Sequence, residues 1–456
     1  MGFFKAYDMR GTFGVDFDLD TVEKVGRALP KAVSGGRWMV GRDCRLTSDA
    51  VRNALVRGLA ASGAQVLDIG LCTTPMVYFY TAEMGVDGSV MVTASHNPPT
   101  DNGLKVSKRG AQPVGYADGL NEVERLTAED NAASASEADN SVVQNGSSQW
   151  ISRYIDWMRE RAPDFSNLKI AVDCSNGMAS LLVKELFPQA IVINDVLDGN
   201  FPAHSPNPLK AEAREQAEAL VREHSLDCAV IFDGDADRCM FLDERGEFVQ
   251  PDYLIPVVAE GAAALSGESL EGAVVIHDVR TSRGAIAAIE AAGAKALMVP
   301  VGHAFAKPAL RESGAICGGE LAGHYYFRDF HCCDSGVLAA LTVLGEIAKA
   351  KRSGKSFSEM MKPVSSAYAN SGELNFKVED KDGAVERVLA AAKRSFPEEI
   401  SRSEIDGVRV EYRDGWFNVR KSNTEPYLRL IVECKTDQML REWTQLLEKE
   451  ISNQQK

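Results

Sequence analysis

Cys228-Ala229-Val230-Ile231-Phe232 runs straight into Asp233-Gly234-Asp235-Ala236-Asp237-Arg238. An unbroken apolar run followed at once by alternating carboxylates describes a buried strand that ends in a polar loop. Two other stretches share the outline. Upstream, Ser89-Val90-Met91-Val92 leads into Thr93-Ala94-Ser95-His96-Asn97-Pro98, and downstream Ala315-Ile316-Cys317 leads into Gly318-Gly319-Glu320-Leu321-Ala322-Gly323-His324. Open α/β sheets bind ligands at the carboxyl ends of their strands. The recurrence therefore predicts related α/β units, each delivering one polar loop of different chemistry.

Working outward, the βαβ rhythm is legible around each loop. Trp38-Met39-Val40 ends at Gly41-Arg42-Asp43, Thr47-Ser48 is positioned to cap a helix with Val51, Leu55 and Leu59 on one face, and Gly63 closes it before Gln65-Val66-Leu67-Asp68-Ile69. In the second unit Lys169-Ile170-Ala171-Val172 precedes Asp173-Cys174-Ser175-Asn176-Gly177, with Ile191-Val192-Ile193 beyond. The third has Ala273-Val274-Val275-Ile276 before Asp278-Val279-Arg280, then Ala296-Leu297-Met298-Val299. The last ninety or so residues differ: Val408–Tyr412, Trp416–Arg420 and Tyr427–Val432 alternate as in an antiparallel sheet with one face covered by helices. The expected fold is three α/β units with mixed, mostly parallel sheets plus a C-terminal α+β domain, divided as 1–147, 148–249, 250–366 and 367–456. The first boundary falls between Leu126 and Gln149, a stretch rich in Ala, Ser, Asn, Asp and Glu.

The 456 residues carry 50 basic and 65 acidic side chains, a net charge of −15 that argues against a general nucleic-acid surface. An anionic substrate would need local arginines and lysines. Nine cysteines without a CxxC indicate neither a disulfide framework nor a zinc ribbon, and a reducing cytoplasm is expected. His331, Cys332, Cys333 and Asp334 are contiguous and read as loop and core residues, because adjacent side chains rarely converge on one ion. Met1-Gly2-Phe3-Phe4-Lys5-Ala6 fits neither a signal peptide nor a myristoylation site, and no apolar run approaches the roughly eighteen residues that span a bilayer.

Asp233, Asp235 and Asp237 can face one hard cation, with Mg²⁺ the natural choice. An EF-hand is excluded, because Ala236 and Arg238 stand where that loop would continue. Ser95 alone reads as a turn residue before Asn97-Pro98. Beside an acidic cation site it reads instead as a phosphoryl carrier and metal ligand, with His96 and Lys105 near in sequence to position the transferring group. Arg238 can balance phosphoryl charge, and Glu320 can accept from two vicinal hydroxyls. Arg420, Ser422, Asn423 and Thr424, in a turn fixed by Pro426 and supplemented by Arg429, have the makings of a phosphate clamp. Gly354-Lys355-Ser356 imitates the end of a P-loop but lacks its first glycine and its strand, so no nucleotide role follows.

Thr93–Pro98, Asp233–Arg238, Glu320–His324 and Arg420–Pro426 together resemble, in order, the four active-site loops of the α-D-phosphohexomutase family. The resemblance implies four domains around a central cleft and a Mg²⁺-dependent mutase acting on a small hexose phosphate, in which phosphorylated Ser95 donates to a sugar monophosphate. A hexose 1,6-bisphosphate forms, turns end for end and returns a phosphate. The bisphosphate is also a candidate activator. By the same resemblance Arg10 contacts the phosphoserine region, with Tyr7, Asp8 and Gly11 near it, and Arg280, His303 and His324 face the ligand, with Gly302 and Lys307 close by. Lys5 stands where the family often has arginine, and Ala322 where it usually has serine, which removes one hydroxyl contact to the sugar. Thr-Ala-Ser-His-Asn-Pro-Pro and Arg-x-Ser-Asn-Thr-Glu-Pro favour phosphomannomutase and its dual-specificity relatives, with phosphoglucomutase or phosphoglucosamine mutase as alternatives. A Mg²⁺-dependent phosphatase using Asp233 as nucleophile is the reading from a different class.

Overall fold

The computed structural model describes residues 2–33, 35–131, 143–145, 147–422 and 426–452. Its first sheet runs in the order Met9–Thr12, Asp101–Lys108, Gly88–Val92, Arg37–Arg42, Gln65–Leu71, Val143–Asn145, with Gln112–Pro113 beside Asp101–Lys108. Arg37–Arg42 is parallel to both Gln65–Leu71 and Gly88–Val92, whereas Gly88–Val92 turns back into antiparallel Asp101–Lys108. The same construction recurs. Cys228–Phe232 is parallel to Ile170–Asp173 and antiparallel to Cys239–Leu242. Cys317–Gly319 is parallel to Val274–Asp278 and antiparallel to Tyr325–Phe327. Each site loop is thus the turn of a hairpin rather than a strand-to-helix connection. The sheets are mixed, as expected, and the parallel share is smaller than the βαβ rhythm suggests because of these return strands.

Helix Ser48–Ala61 buries Val51, Leu55 and Leu59 completely, as its spacing requires. Thr47 does not cap it: no side-chain cap bond forms, and Thr47 Oγ1 instead accepts from Asn102 Nδ2 at 2.8 Å. The helix crosses Leu19–Ala32 so closely that a Cβ on Gly58 would lie 2.0 Å from the Glu23 carbonyl oxygen. Within the expected boundary stretch, Val143–Asn145 adds a strand to the first sheet, paired in parallel with Gln65–Leu71.

One element joins the first three domains. Helix Thr74–Glu83 has buried residues in unbroken succession from Thr74 to Thr81, so it has no solvent face. Phe79 packs with Tyr154 at 5.4 Å, Trp157 at 5.2 Å and Phe330 at 6.1 Å between ring centroids, and the Tyr80 hydroxyl donates to the Trp150 carbonyl at 2.6 Å. One continuous core therefore runs through all three α/β units.

The fourth sheet is antiparallel, in the order Ala369–Asn370, Leu428–Cys434, Gly415–Lys421, Val408–Tyr412, Glu399–Ser403, with Leu374–Phe376 also on Leu428–Cys434. Its helices Lys381–Ser395 and Asp437–Ser452 cover one face and enclose a separate core. The other face is not open as the alternation implies. Trp416 and Ile431 pack against Leu321 of the third domain, and Arg409 Nη1 donates to the carbonyls of Val279 and Thr281 at 2.6 and 2.9 Å. Among the described residues no helix is long and apolar enough to cross a membrane, and all nine cysteines are free thiols.

Candidate active site

The three hairpin turns meet. Ser95 is 1% exposed and its Oγ donates to Asp233 Oδ2 at 3.0 Å. A φ of 51° puts Ser95 in the left-handed region, which is costly for a residue with a side chain. The turn is held against that cost by Arg45, whose guanidinium donates to the carbonyls of Ser95, Asn97, Pro98 and Asp101 at 2.6 to 2.9 Å. Gly234 lets the two loops touch, since a Cβ there would lie 2.6 Å from the Ser95 carbonyl oxygen.

Asp233, Asp235 and Asp237 are each at most 1% exposed and present oxygens within 4.8 Å of one another. Lys105 Nζ donates to Asp235 Oδ2 at 2.7 Å and to Asp237 Oδ2 at 2.5 Å, and Thr74 Oγ1 donates to Asp235 Oδ2 at 2.6 Å. Asp235 Oδ1 and Asp237 Oδ1 are left buried without a hydrogen-bond partner. Unpaired buried carboxylate oxygens are costly, and a hard divalent cation satisfies them without a proton. The aspartates and the Ser95 hydroxyl form an all-oxygen donor set that fits such an ion. Burial, with Asp237 and Asp235 beside it, pushes the Asp233 carboxyl well above the usual range. Burial would also raise Asp235, but Lys105 and the Thr74 hydrogen bond outweigh it and hold that group low.

His96 Nδ1 lies 3.2 Å from Ser95 Oγ. Burial, followed by the charges of Arg238, Arg10 and Lys105, lowers its pKa well below the ordinary value, so the ring is neutral at neutral pH. Arg10 donates to Asn97 Oδ1 at 3.1 Å and is held by Asp8. Lys105, expected near the transferring group, spends its ammonium on two aspartates. Arg238 Nε donates to His324 Nε2 at 2.9 Å, which puts the imidazole proton on Nδ1, and Nδ1 donates to Asp334 Oδ2 at 2.8 Å. Lys307 pairs with Asp334 Oδ1 at 2.8 Å and lies 3.3 Å from the centroid of the Tyr78 ring. Asp334 is fully buried, in keeping with its reading as a loop or core residue, and it also joins this cluster of polar side chains.

Glu320 joins this cluster to the arginines. Its backbone N–H donates to the His324 carbonyl at 3.0 Å, its Oε1 accepts from the Tyr326 hydroxyl at 2.6 Å, and Arg280 Nη2 lies 3.8 Å from its Oε2. Asp278 grips Arg280, accepting from Nη2 at 2.6 Å and from Nε at 3.2 Å. His303 opens helix His303–Ser313 after Gly302, and its Nδ1 is buried without a partner. Burial, then Lys307, pushes this ring well below the ordinary histidine value. Tyr7 stands across from it and donates to the Val301 carbonyl at 3.2 Å. Arg420 and Arg429 both donate to Glu373 at 3.1 Å, and the Ser422 N–H donates to the Tyr427 carbonyl at 2.9 Å. Asn423 and Thr424 lie outside the described residues.

Arg45, Thr74, Asp278, Asp334 and Glu373 have no motif of their own in the sequence. Their positions depend on contacts between segments far apart in the chain, which local spacing does not carry.

Fold and site together define a phosphotransferase built on four domains, and the comparisons bear this out. Residues 1–133, 152–246 and 250–368 match the phosphoglucomutase/phosphomannomutase α/β/α domains I, II and III, and residues 373–449 match the C-terminal domain. A phosphomannomutase of Salmonella montevideo is 37% identical over 449 residues, 95% of each chain. A phosphohexose mutase of Xanthomonas campestris is 36% identical over 443 residues, 96% of each. A crystal structure of a phosphoglucomutase/phosphomannomutase family protein from Burkholderia thailandensis superposes with a TM-score of 0.85 at 29% identity, covering 98% of this chain and 96% of its own. The chain belongs to the phosphoglucomutase/phosphomannomutase family and is a phosphohexomutase, an isomerase that works by phosphoryl transfer.

Proposed function

We propose that the enzyme is a phosphomannomutase that interconverts mannose 1-phosphate and mannose 6-phosphate, accepts glucose phosphates as well, and carries the phosphoryl group on Ser95. The observation that carries this is the contact of Ser95 Oγ with Asp233 at 3.0 Å, beside two buried aspartate oxygens that receive no hydrogen bond. Mg²⁺ would be held by Asp233, Asp235, Asp237 and the Ser95 oxygen, and when bound it supplies charge neutralisation for the phosphoryl oxygens.

In the forward half-reaction the free hydroxyl of the sugar monophosphate attacks phosphorus. The new O–P bond forms as the Ser95 Oγ–P bond breaks, giving the 1,6-bisphosphate. After the sugar turns, Ser95 Oγ attacks the other phosphate and the sugar oxygen leaves. Neutral His96, 3.2 Å from Ser95 Oγ, relays the proton in both halves: from the attacking sugar hydroxyl to the departing Ser95 Oγ in the first, and from Ser95 Oγ to the departing sugar oxygen in the second. Arg238 and Arg10 face the developing phosphoryl charge, and Lys105 holds Asp235 and Asp237 in place. Glu320, His324 and His303 receive the ring, and Arg280, Arg420, Ser422, Asn423, Thr424 and Arg429 take the phosphate that is not reacting. Separating this clamp from the serine lets either end of the sugar face one donor. The proposed domains are 1–147, 148–249, 250–366 and 367–456, working in a reducing cytoplasm.

Phosphorus NMR tests the reading, with Mg²⁺, a trace of hexose 1,6-bisphosphate, and mannose 1-phosphate or glucose 1-phosphate in parallel. Conversion to the 6-phosphate supports it and ranks the sugars. Release of inorganic phosphate alone would replace it with the phosphatase.

A further inference from the structure

Three guanidinium groups converge on one carboxylate. Glu373 Oε1 accepts from Arg280 Nη1 at 3.2 Å and from Arg420 Nη2 at 3.1 Å, and its Oε2 accepts from Arg429 Nη1 at 3.1 Å. The Arg280 and Arg420 side chains are 4% and 2% exposed, whereas that of Glu373 is 18% exposed. An anion arriving from solvent therefore reaches Glu373 and Arg429, itself 17% exposed, before it reaches Arg280 and Arg420. Planar guanidiniums donating to shared oxygens is also the geometry in which arginines bind phosphate.

The position of Glu373 in the chain adds a second argument. The match to the third domain ends at residue 368 and the match to the fourth begins at residue 373. Gly372, with φ of 66°, sits between the two-residue strand Ala369–Asn370 and the three-residue strand Leu374–Phe376. Both strands pair with Leu428–Cys434, and Ser371 between them exchanges bonds with Val432, so Glu373 moves with the fourth domain that also supplies Arg420 and Arg429, whereas Arg280 belongs to the third. The carboxylate spans the joint about which the fourth domain would move.

We propose that Glu373 is a built-in substitute for the substrate's phosphate, occupying the clamp and drawing the fourth domain onto the third until a phosphate dianion displaces it. The inference rests on the clamp role proposed above for Arg420 and Arg429. Displacement taxes every anion that enters, because apparent affinity falls by the fraction of clamps left free. A dianion can engage more guanidinium donors than a carboxylate, so sugar phosphates displace Glu373 where weaker anions fail. Burial opposes the charge on Glu373, but the three arginines overcome it and hold its pKa at about 2, so the competitor stays charged throughout the physiological range.

Glu373→Gln in the full chain keeps the shape and removes the charge. Titration calorimetry with inorganic phosphate, alongside KM for glucose 1-phosphate, should show binding roughly tenfold tighter and a lower KM. Small-angle scattering should show the ligand-free variant more extended than the ligand-free parent. Unchanged or weaker phosphate binding would overturn the proposal and leave Glu373 as a residue that only orients the arginines. Glu373→Ala, expected to act in the same direction, decides the matter if the glutamine variant folds poorly by its unfolding midpoint. Arg420→Ala separates the two readings: if phosphate binds it as tightly as the parent, the clamp itself is misplaced, whatever Glu373 does.

Discussion

Replacing Ser95 by alanine removes one buried hydroxyl and leaves the turn's other supports intact, because Arg45 grips carbonyl oxygens rather than side chains. Mutase turnover in Ser95→Ala should fall by at least about a thousandfold, measured by phosphorus NMR, while a phosphatase working through Asp233 would keep its rate. Asp233→Asn tests the cation site without relying on turnover. A ligand that binds only the folded state raises its stability, so Mg²⁺ should raise the unfolding midpoint of the parent and not that of the variant. The serine and the aspartates were legible because each motif lies within one short stretch. Glu373 and Asp334 were not: a single acidic residue in a polar stretch looks like any solvated one, and an acid beside two cysteines reads as loop or core.

At the scale of elements, the sequence discloses the buried strands that are apolar throughout and conceals those whose buried positions are polar. Cys228–Phe232 is an unbroken apolar run, but the return strand Asp101–Lys108 mixes Asp101, Asn102, Lys105 and Ser107 with two aliphatic residues, so the hairpin it completes is hidden. Caps are also decided by tertiary competition, as Thr47 shows by accepting from Asn102 rather than from its own helix. The start of helix Arg283–Ala291 offers a pH test. Asp252 Oδ2 accepts from the Ser282 N–H at 2.9 Å, its Oδ1 is buried without a partner, and burial pushes its pKa up to about 7. The folded state therefore binds a proton that the unfolded state releases above its ordinary value of 3.8, and stability drains away as pH rises from there toward 7. Asp252→Asn, which keeps the acceptor and loses the charge, should raise the unfolding midpoint at pH 8 and change it little at pH 4. An equal gain at both values would mean that the carboxylate is not the cause.

Across the whole molecule, the sequence rhythm foretold repeated α/β units but not how they share a core, because helix Thr74–Glu83 has no polar face from which a packing direction could be read. Burying it at the junction of three domains has a consequence for cooperativity. Phe79, 1% exposed, touches aromatic rings contributed by Tyr154, Trp157 and Phe330, so a cavity there is felt beyond the first domain. Phe79→Ala should cost about 3–5 kcal/mol and lower a calorimetric transition that the first three domains share. The fourth domain has its own core, and much of its seam with the third is polar, built from Arg283 on Glu411 and Arg409 on backbone carbonyls. Interfaces of that kind permit relative motion. Amide exchange in Gly415–Lys421 and Leu428–Cys434 should therefore be nearly unchanged by the substitution, while Ile170–Asp173 and Val274–Asp278 lose protection together. If only the first domain's strands lost protection, the three domains would be energetically separate units. The serine, the aspartates and Glu320 would then owe their alignment to loop contacts alone, not to the core beneath them.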